Sequence, residues 1–175
     1  MNQRHLVCAA LVGTSLVTLT GCVSDGASND AQSSSTLPAV ADDAAPATVI
    51  DACAMLSPQD VSTLLGTPVE GRSTSTTPDM GACTWENPST YESVSMEIKN
   101  SGTAPGNQLP PIDPSLFDPT KPAPDGMRFL STGFVEFAAG NRANTVQVAV
   151  LRLSIDESDR NAVDLARKIA PQVPG

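Results

Sequence analysis

The sequence predicts an α+β fold, an antiparallel sheet packed with a short N-terminal helix and a C-terminal helix, with one disulfide. Three observations carry this expectation. A capped helical pattern over 57–66 precedes a series of β-rich runs. The Gly140-Asn141 dipeptide joins the two longest runs as a hairpin, and an amphipathic helical pattern closes the chain.

The chain opens with a leader, residues 1–21. Arg4 and the amino terminus give it a positive end, and 6–19 follow as a mostly apolar run of 14 residues, too short for the roughly 20 that span a bilayer. The run closes on Leu19, Thr20, Gly21 and Cys22, which resembles the bacterial lipobox, where small residues admit the signal peptidase and a cysteine follows the cut. Cys22 is therefore expected as the lipidated first residue of the mature chain, because the thioether to diacylglycerol needs a thiol. Two or three acyl chains, at roughly 0.8 kcal/mol per buried methylene, would hold the protein to a membrane it does not span. The expected location is the cell envelope, at the outer face of the plasma membrane.

Residues 22–48 combine this cysteine with a tether rich in Ser, Ala, Asp, Thr and Pro and without a periodic apolar face, the composition of a disordered segment. As a flexible coil it would reach roughly 30 Å. A single globular domain is expected over 49–173.

Of the four cysteines, Cys8 leaves with the leader and Cys22 is taken by lipid. Cys53 and Cys83 remain, and in an oxidising exterior each has the other as partner, so a disulfide is predicted between them. A zinc site is excluded, since two thiolates need further ligands and the one histidine, His5, lies in the leader.

Ser57 reads as an N-cap, Pro58 as the first helical position, Asp60 as able to reach back toward the cap, and Gly66 as the stop. Val61, Leu64 and Leu65 would form the buried stripe of that two-turn helix. Short β runs follow at 82–86 and 93–99, the second alternating with Val94, Met96 and Ile98 inward. Residues 127–138 and 144–154 are longer runs around Gly140 and Asn141, and Gly133 is expected to mark a bulge. The last run is apolar on both faces, Val146, Val148 and Val150 against Ala149, Leu151 and Leu153, and is expected to be central and covered on both sides.

The closing helix is expected to start at Asp156 or Ser158 and to bury Ala162, Leu165, Ala166 and Ile169 until Pro171 stops it. Asp164 and Lys168 are expected to pair on its surface. Between 100 and 126 lies a non-periodic stretch with seven prolines, read as a surface excursion.

The pattern Asp51, Cys53, Leu56, Ser57, Pro58, Val61, Leu64, Leu65 and Gly66, followed by Cys83, Thr84 and Trp85, resembles a family of small actinobacterial (mycobacterial-type) lipoproteins with a domain of unknown function. The resemblance covers the first third of the domain, the rest matching in its order of strands and final helix. It implies a host with a mycolate-type or similar envelope and brings no catalytic residues. A weaker likeness is to the extracellular sensor domains of mycobacterial receptor kinases, from which this chain departs in having one disulfide and no kinase.

The chemistry is narrowed by what the sequence lacks. Without a histidine beyond the leader there is no Ser-His-Asp triad and no Cys-His pair, and neither a G-x-S-x-G elbow nor a glycine-rich phosphate loop is present. Asp113, Asp118 and Asp125 fit no EF-hand spacing and read as solvating residues. No catalytic residue, cofactor or metal ligand is assigned. The formal charge of −9 becomes −10 once Arg4 leaves with the leader, and no basic cluster exists, so nucleic acid is excluded as a partner. Trp85, beside Cys83, is read as covering the disulfide, with an interface anchor as its alternative role. The expectation is a membrane-anchored, non-catalytic binding module for a protein or cell-wall partner. The alternative is a small-ligand or lipid carrier with a cavity between the sheet and the C-terminal helix.

Overall fold

The computed structural model describes residues 48–115 and 117–175; the leader, Cys22 and the tether up to Ala47 lie outside the described residues. A seven-stranded antiparallel sheet carries two helices. The strands are β1 (Arg72–Ser73), β2 (Gly81–Glu86), β3 (Ser93–Ile98), β4 (Lys121–Pro122), β5 (Arg128–Ser131), β6 (Phe134–Ala139) and β7 (Arg142–Ala149), in spatial order β1-β2-β3-β7-β6-β5-β4. The helices are α1 (Pro58–Leu65) and α2 (Ile155–Ile169). The α+β architecture and the Cys53–Cys83 disulfide are as the sequence predicts. Among the described residues no helix is long and apolar enough to cross a membrane.

Local sequence explains α1. The Ser57 hydroxyl accepts from the Asp60 amide at 3.2 Å and donates to the Asp60 carboxylate at 2.7 Å, Pro58 fixes the first turn, and Gly66 closes the helix at φ +69°. Val61, Leu64 and Leu65 are buried, as their spacing predicts. The C-terminal carbonyls of α1 are met by distant side chains: the Asn87 amide donates to Leu65 O at 3.1 Å, and the Arg152 guanidinium donates to Leu64 O.

The sheet core is one face of the strands. Cys83, Trp85, Val94, Met96, Ile98, Val135, Phe137, Val146 and Val148 point the same way, and the register sets Trp85 opposite Val94, Val94 opposite Val148, and Val146 between Met96 and Val135. On this face α2 lays Ala162, Val163, Leu165, Ala166 and Ile169. Complete burial of a side chain such as Ile169 or Phe137 stabilises the fold by roughly 1.5–3 kcal/mol. The interface between sheet and α2 is filled by these side chains.

Several expectations are corrected. The last strand stops at Ala149, and residues 150–154 turn away from the sheet; β7 is central, and its second face is covered at Ala143 and Thr145 but open at Ala149, with Leu151 exposed beyond the strand's end. Leaving the sheet early frees Ser154 to cap α2, in place of Asp156 or Ser158. Its hydroxyl accepts from the Glu157 amide while the Glu157 carboxylate accepts from the Ser154 amide, a reciprocal capping box.

The run 127–138 is two strands. Gly133, at φ +65°, sits in the turn between β5 and β6 and not at a bulge; the register shift falls beside it, between Phe129 and Ser131. The turn is pinned from outside, because the Gly133 amide donates to Asp159 at 2.6 Å and its carbonyl accepts from Val148 N at 2.8 Å. Asp164 pairs with Arg167 rather than Lys168, and Lys168 reaches across to Asp60 on α1, tying the two helices. The β6–β7 hairpin closes as predicted through Gly140 and Asn141, both at positive φ.

The proline-rich stretch is more ordered than expected. Its ends fold back on the sheet: the Ala143 amide donates to Thr103 Oγ1 at 2.9 Å, Arg128 donates to Pro110 O at 2.9 Å, and 121–122 supplies the edge strand β4. Both sheet edges are therefore two-residue strands carrying Arg72 on one side and Lys121 and Pro122 on the other.

Candidate functional site

Cys53 ends up beside Cys83 because the 3-10 turn Ala52–Met55 packs on β2 just before α1 begins. Alternation along β2 then sends Cys83 and Trp85 to the same face. Trp85 is 3% exposed and lies against the disulfide, the covering role expected of it. Gly71 is the third member of this contact: a Cβ there would stand 2.5 Å from Trp85 Nε1 and 2.7 Å from Cys83 Sγ, so only glycine lets the backbone approach both.

A groove of about 720 Å³ opens over this floor. One wall is the chain entering α1, with Leu56 and Pro58; the other is the segment 68–71 leading into β1, with Pro68, Val69 and Gly71. Glu70 is the one charged residue in its lining. Every side-chain nitrogen or oxygen sealed from solvent among the described residues has a hydrogen-bond partner.

The remaining charged clusters hold the structure together. Arg142, 3% exposed, donates to Asp79 O at 2.7 Å, Lys99 O at 2.7 Å, Pro174 O at 3.0 Å and Asp79 Oδ1 at 2.6 Å. Asp79 also accepts from the Ser101 amide and hydroxyl, each at 2.8 Å, and Arg142 and Ser101 hold its carboxyl well below the usual carboxylate range. Thr48 O accepts from the Asp79 amide, so Arg142 and Asp79 gather both ends of the described chain.

On the outer face Glu136 pairs with Arg128 at 2.5 Å. A second groove, of about 550 Å³, runs beside α2 over Phe129 and Val163, with Asp156, Asp159, Arg160, Asp164 and Arg167 at its rim, and three of these five are committed within the protein. Asp159 holds the Gly133 amide, and Arg167 pairs with Asp125 and Asp164. Asp113 and Asp118 accept from Ser115 and Thr120 in their own turns, which keeps both carboxyls below the usual range and explains them as turn residues. Among the described residues no cluster of three or more His, Cys, Asp or Glu could hold a metal ion.

Of the residues singled out in the sequence, Cys53, Cys83 and Trp85 are brought together, and Cys22 lies outside the described residues. The wall 68–71 carried a signal that sequence reading passes over, a Pro-x-x-Gly segment between a helix stop and a strand. Comparison of the chain with family models, with curated proteins and with solved structures finds no match.

Proposed function

We propose that the protein is a lipid-anchored lipoprotein of the cell envelope whose domain is a non-catalytic binding module for a protein or cell-wall partner. The observation that carries the reading is Cys22, set directly after Leu19, Thr20 and Gly21 at the end of the apolar leader. The Cys53–Cys83 bond supports it, because structural disulfides persist in oxidising compartments outside the cytosol. The resemblance of the Cys53 and Cys83-Thr84-Trp85 motifs to small actinobacterial lipoproteins points the same way. Binding is favoured over carriage of a small ligand, since Val135, Val146, Val148, Ala162 and Ala166 fill the space where a cargo cavity was expected.

The test is substitution of Cys22 by Ser in the native host, followed by fractionation and mass analysis. The anchored reading expects the wild-type chain in membranes with diacylglycerol on Cys22, and the variant either released or retained with its leader uncut. Unchanged lipidation and membrane retention in the variant would overturn it. Crosslinking in intact cells then identifies the partner.

A further inference from the structure

The two sulfurs of the Cys53–Cys83 bond are unequal. Cys83 is completely buried, closed in by Trp85 and by the Gly71 backbone, where one added carbon would stand 2.7 Å from its Sγ. Cys53 is only part-buried and lines the open groove of about 720 Å³. A thiolate attacks a disulfide at the sulfur it can reach and expels the other, so access decides which new bond forms. The expelled sulfur does not go far. Ala52 and Met55 keep the turn Ala52–Met55 packed in the core, and Cys83 is fixed on β2 between its neighbours, so breaking the bond does not by itself part the two side chains.

We infer that Cys53 is the site at which small external thiols modify this domain, and that Cys83 is the resolving thiol that expels them. An external thiolate attacks Cys53 Sγ, the Cys53–Cys83 bond breaks, and Cys83 leaves as a thiolate that takes up a proton. The product is a mixed disulfide at Cys53. In the reverse step the Cys83 thiolate attacks Cys53 Sγ, the external thiolate departs, and the original bond returns with no oxidant consumed. Full reduction needs a second external thiol to reach the mixed disulfide before Cys83 does, and it oxidises the two external thiols to their disulfide. The bond therefore survives reducing challenge by resealing, while its outer sulfur stays open to exchange.

The test uses the full chain, and peptide mapping reads each cysteine separately, so that Cys8 and Cys22 do not enter the result. The probe is 2-mercaptoethanol, small and uncharged, because Glu70 is the one charge in the groove lining. Oxidised protein is treated with it, quenched with acid at intervals, blocked with a maleimide and digested. The expected result is a mixed disulfide on Cys53 with the maleimide on Cys83, and a rate of formation proportional to thiol concentration. Removal of the thiol under argon should restore the Cys53–Cys83 bond.

Single variants separate the two sulfurs. The Cys53 thiol of Cys83→Ser should accept hydroxyethyl disulfide at least about tenfold faster than the Cys83 thiol of Cys53→Ser, which waits for local opening. Adducts on Cys83, a rate that ceases to rise with thiol because unfolding limits it, or a mixed disulfide that persists once thiol is removed would overturn the inference. The wild-type map decides the matter without either variant, so a serine variant that fails to fold leaves the test intact.

Discussion

Replacing Arg142 by Met tests whether the buried guanidinium holds the two ends of the domain together. Methionine preserves an unbranched apolar stem and removes the fork. Three carbonyls, of Asp79, Lys99 and Pro174, lose their donor, at about 1 kcal/mol net for each. Asp79 is allowed nothing in this sum, because it meets water and keeps Ser101. The expected loss is therefore about 3 kcal/mol, a large part of the 5–15 typical of a single domain. With an m-value of about 2 kcal/mol/M, the urea midpoint should fall by about 1.5 M at constant m, followed by Trp85 emission. Arg142→Lys should recover less than half of the shift, since one ammonium head cannot serve three diverging carbonyls and a carboxylate. A midpoint in the Met variant within about 0.3 M of wild type, or full recovery with Lys, would refute the reasoning.

Three further outcomes follow from the same structure. The Cys53→Ser, Cys83→Ser double variant should lose about 3–4 kcal/mol in urea titrations, the loop entropy of the roughly 31-residue ring, and mass analysis of the unreduced protein should find the two cysteines joined. Asp79 and Asp60 have lowered pKa values, through Arg142 and then Ser101 for the first and through Lys168 and then Ser57 for the second. Their contribution is complete above the ordinary carboxylate pKa of about 4 and drains as pH falls below it. The urea midpoint should hold from pH 7 to about 5 and fall below about 4, less steeply in Arg142→Met; a flat profile to about pH 2 would contradict the assignment. Gly133→Ala should cost at least twice the roughly 1 kcal/mol of Gly102→Ala. Both glycines have positive φ, but a Cβ at Gly133 stands 2.5 Å from Val148 O while one at Gly102 meets nothing within 4 Å; equal losses would show that the turn yields.

What the sequence made legible was local. Ser57, Pro58 and Gly66 define α1 because caps act within one turn, and Gly140-Asn141 defines its hairpin because the turn needs two positive φ values. The disulfide was legible by elimination among four cysteines. The misreadings came from long-range choices. Val150, Leu151 and Leu153 continue the β pattern of β7, and nothing local announces that the chain leaves the sheet at Ala149 so that Ser154 can cap α2. Lys168 chose Asp60, 108 residues away, over Asp164, and Arg142 found Asp79 at a separation of 63. Of the candidate groove, Trp85 and the cysteines were visible beforehand. The wall 68–71 was not, because its role depends on which strand edge it lies beside.

The Cys53–Cys83 bond also sets how the protein answers to pulling. A load entering at Thr48 first meets the Asp79 amide and then the Ile50 amide's bond to Met80 O at 2.8 Å, contacts that can unzip one at a time. At Cys53 the path changes from hydrogen bonds to a covalent link into β2, which is laddered to β1 and β3. The chain between the two cysteines, a separation of 30 positions and up to about 100 Å when extended, cannot pay out, so α1 and the walls of the Trp85 groove stay outside the line of force. A domain pulled from its N-terminal side would keep that groove in shape while its entry segment frays.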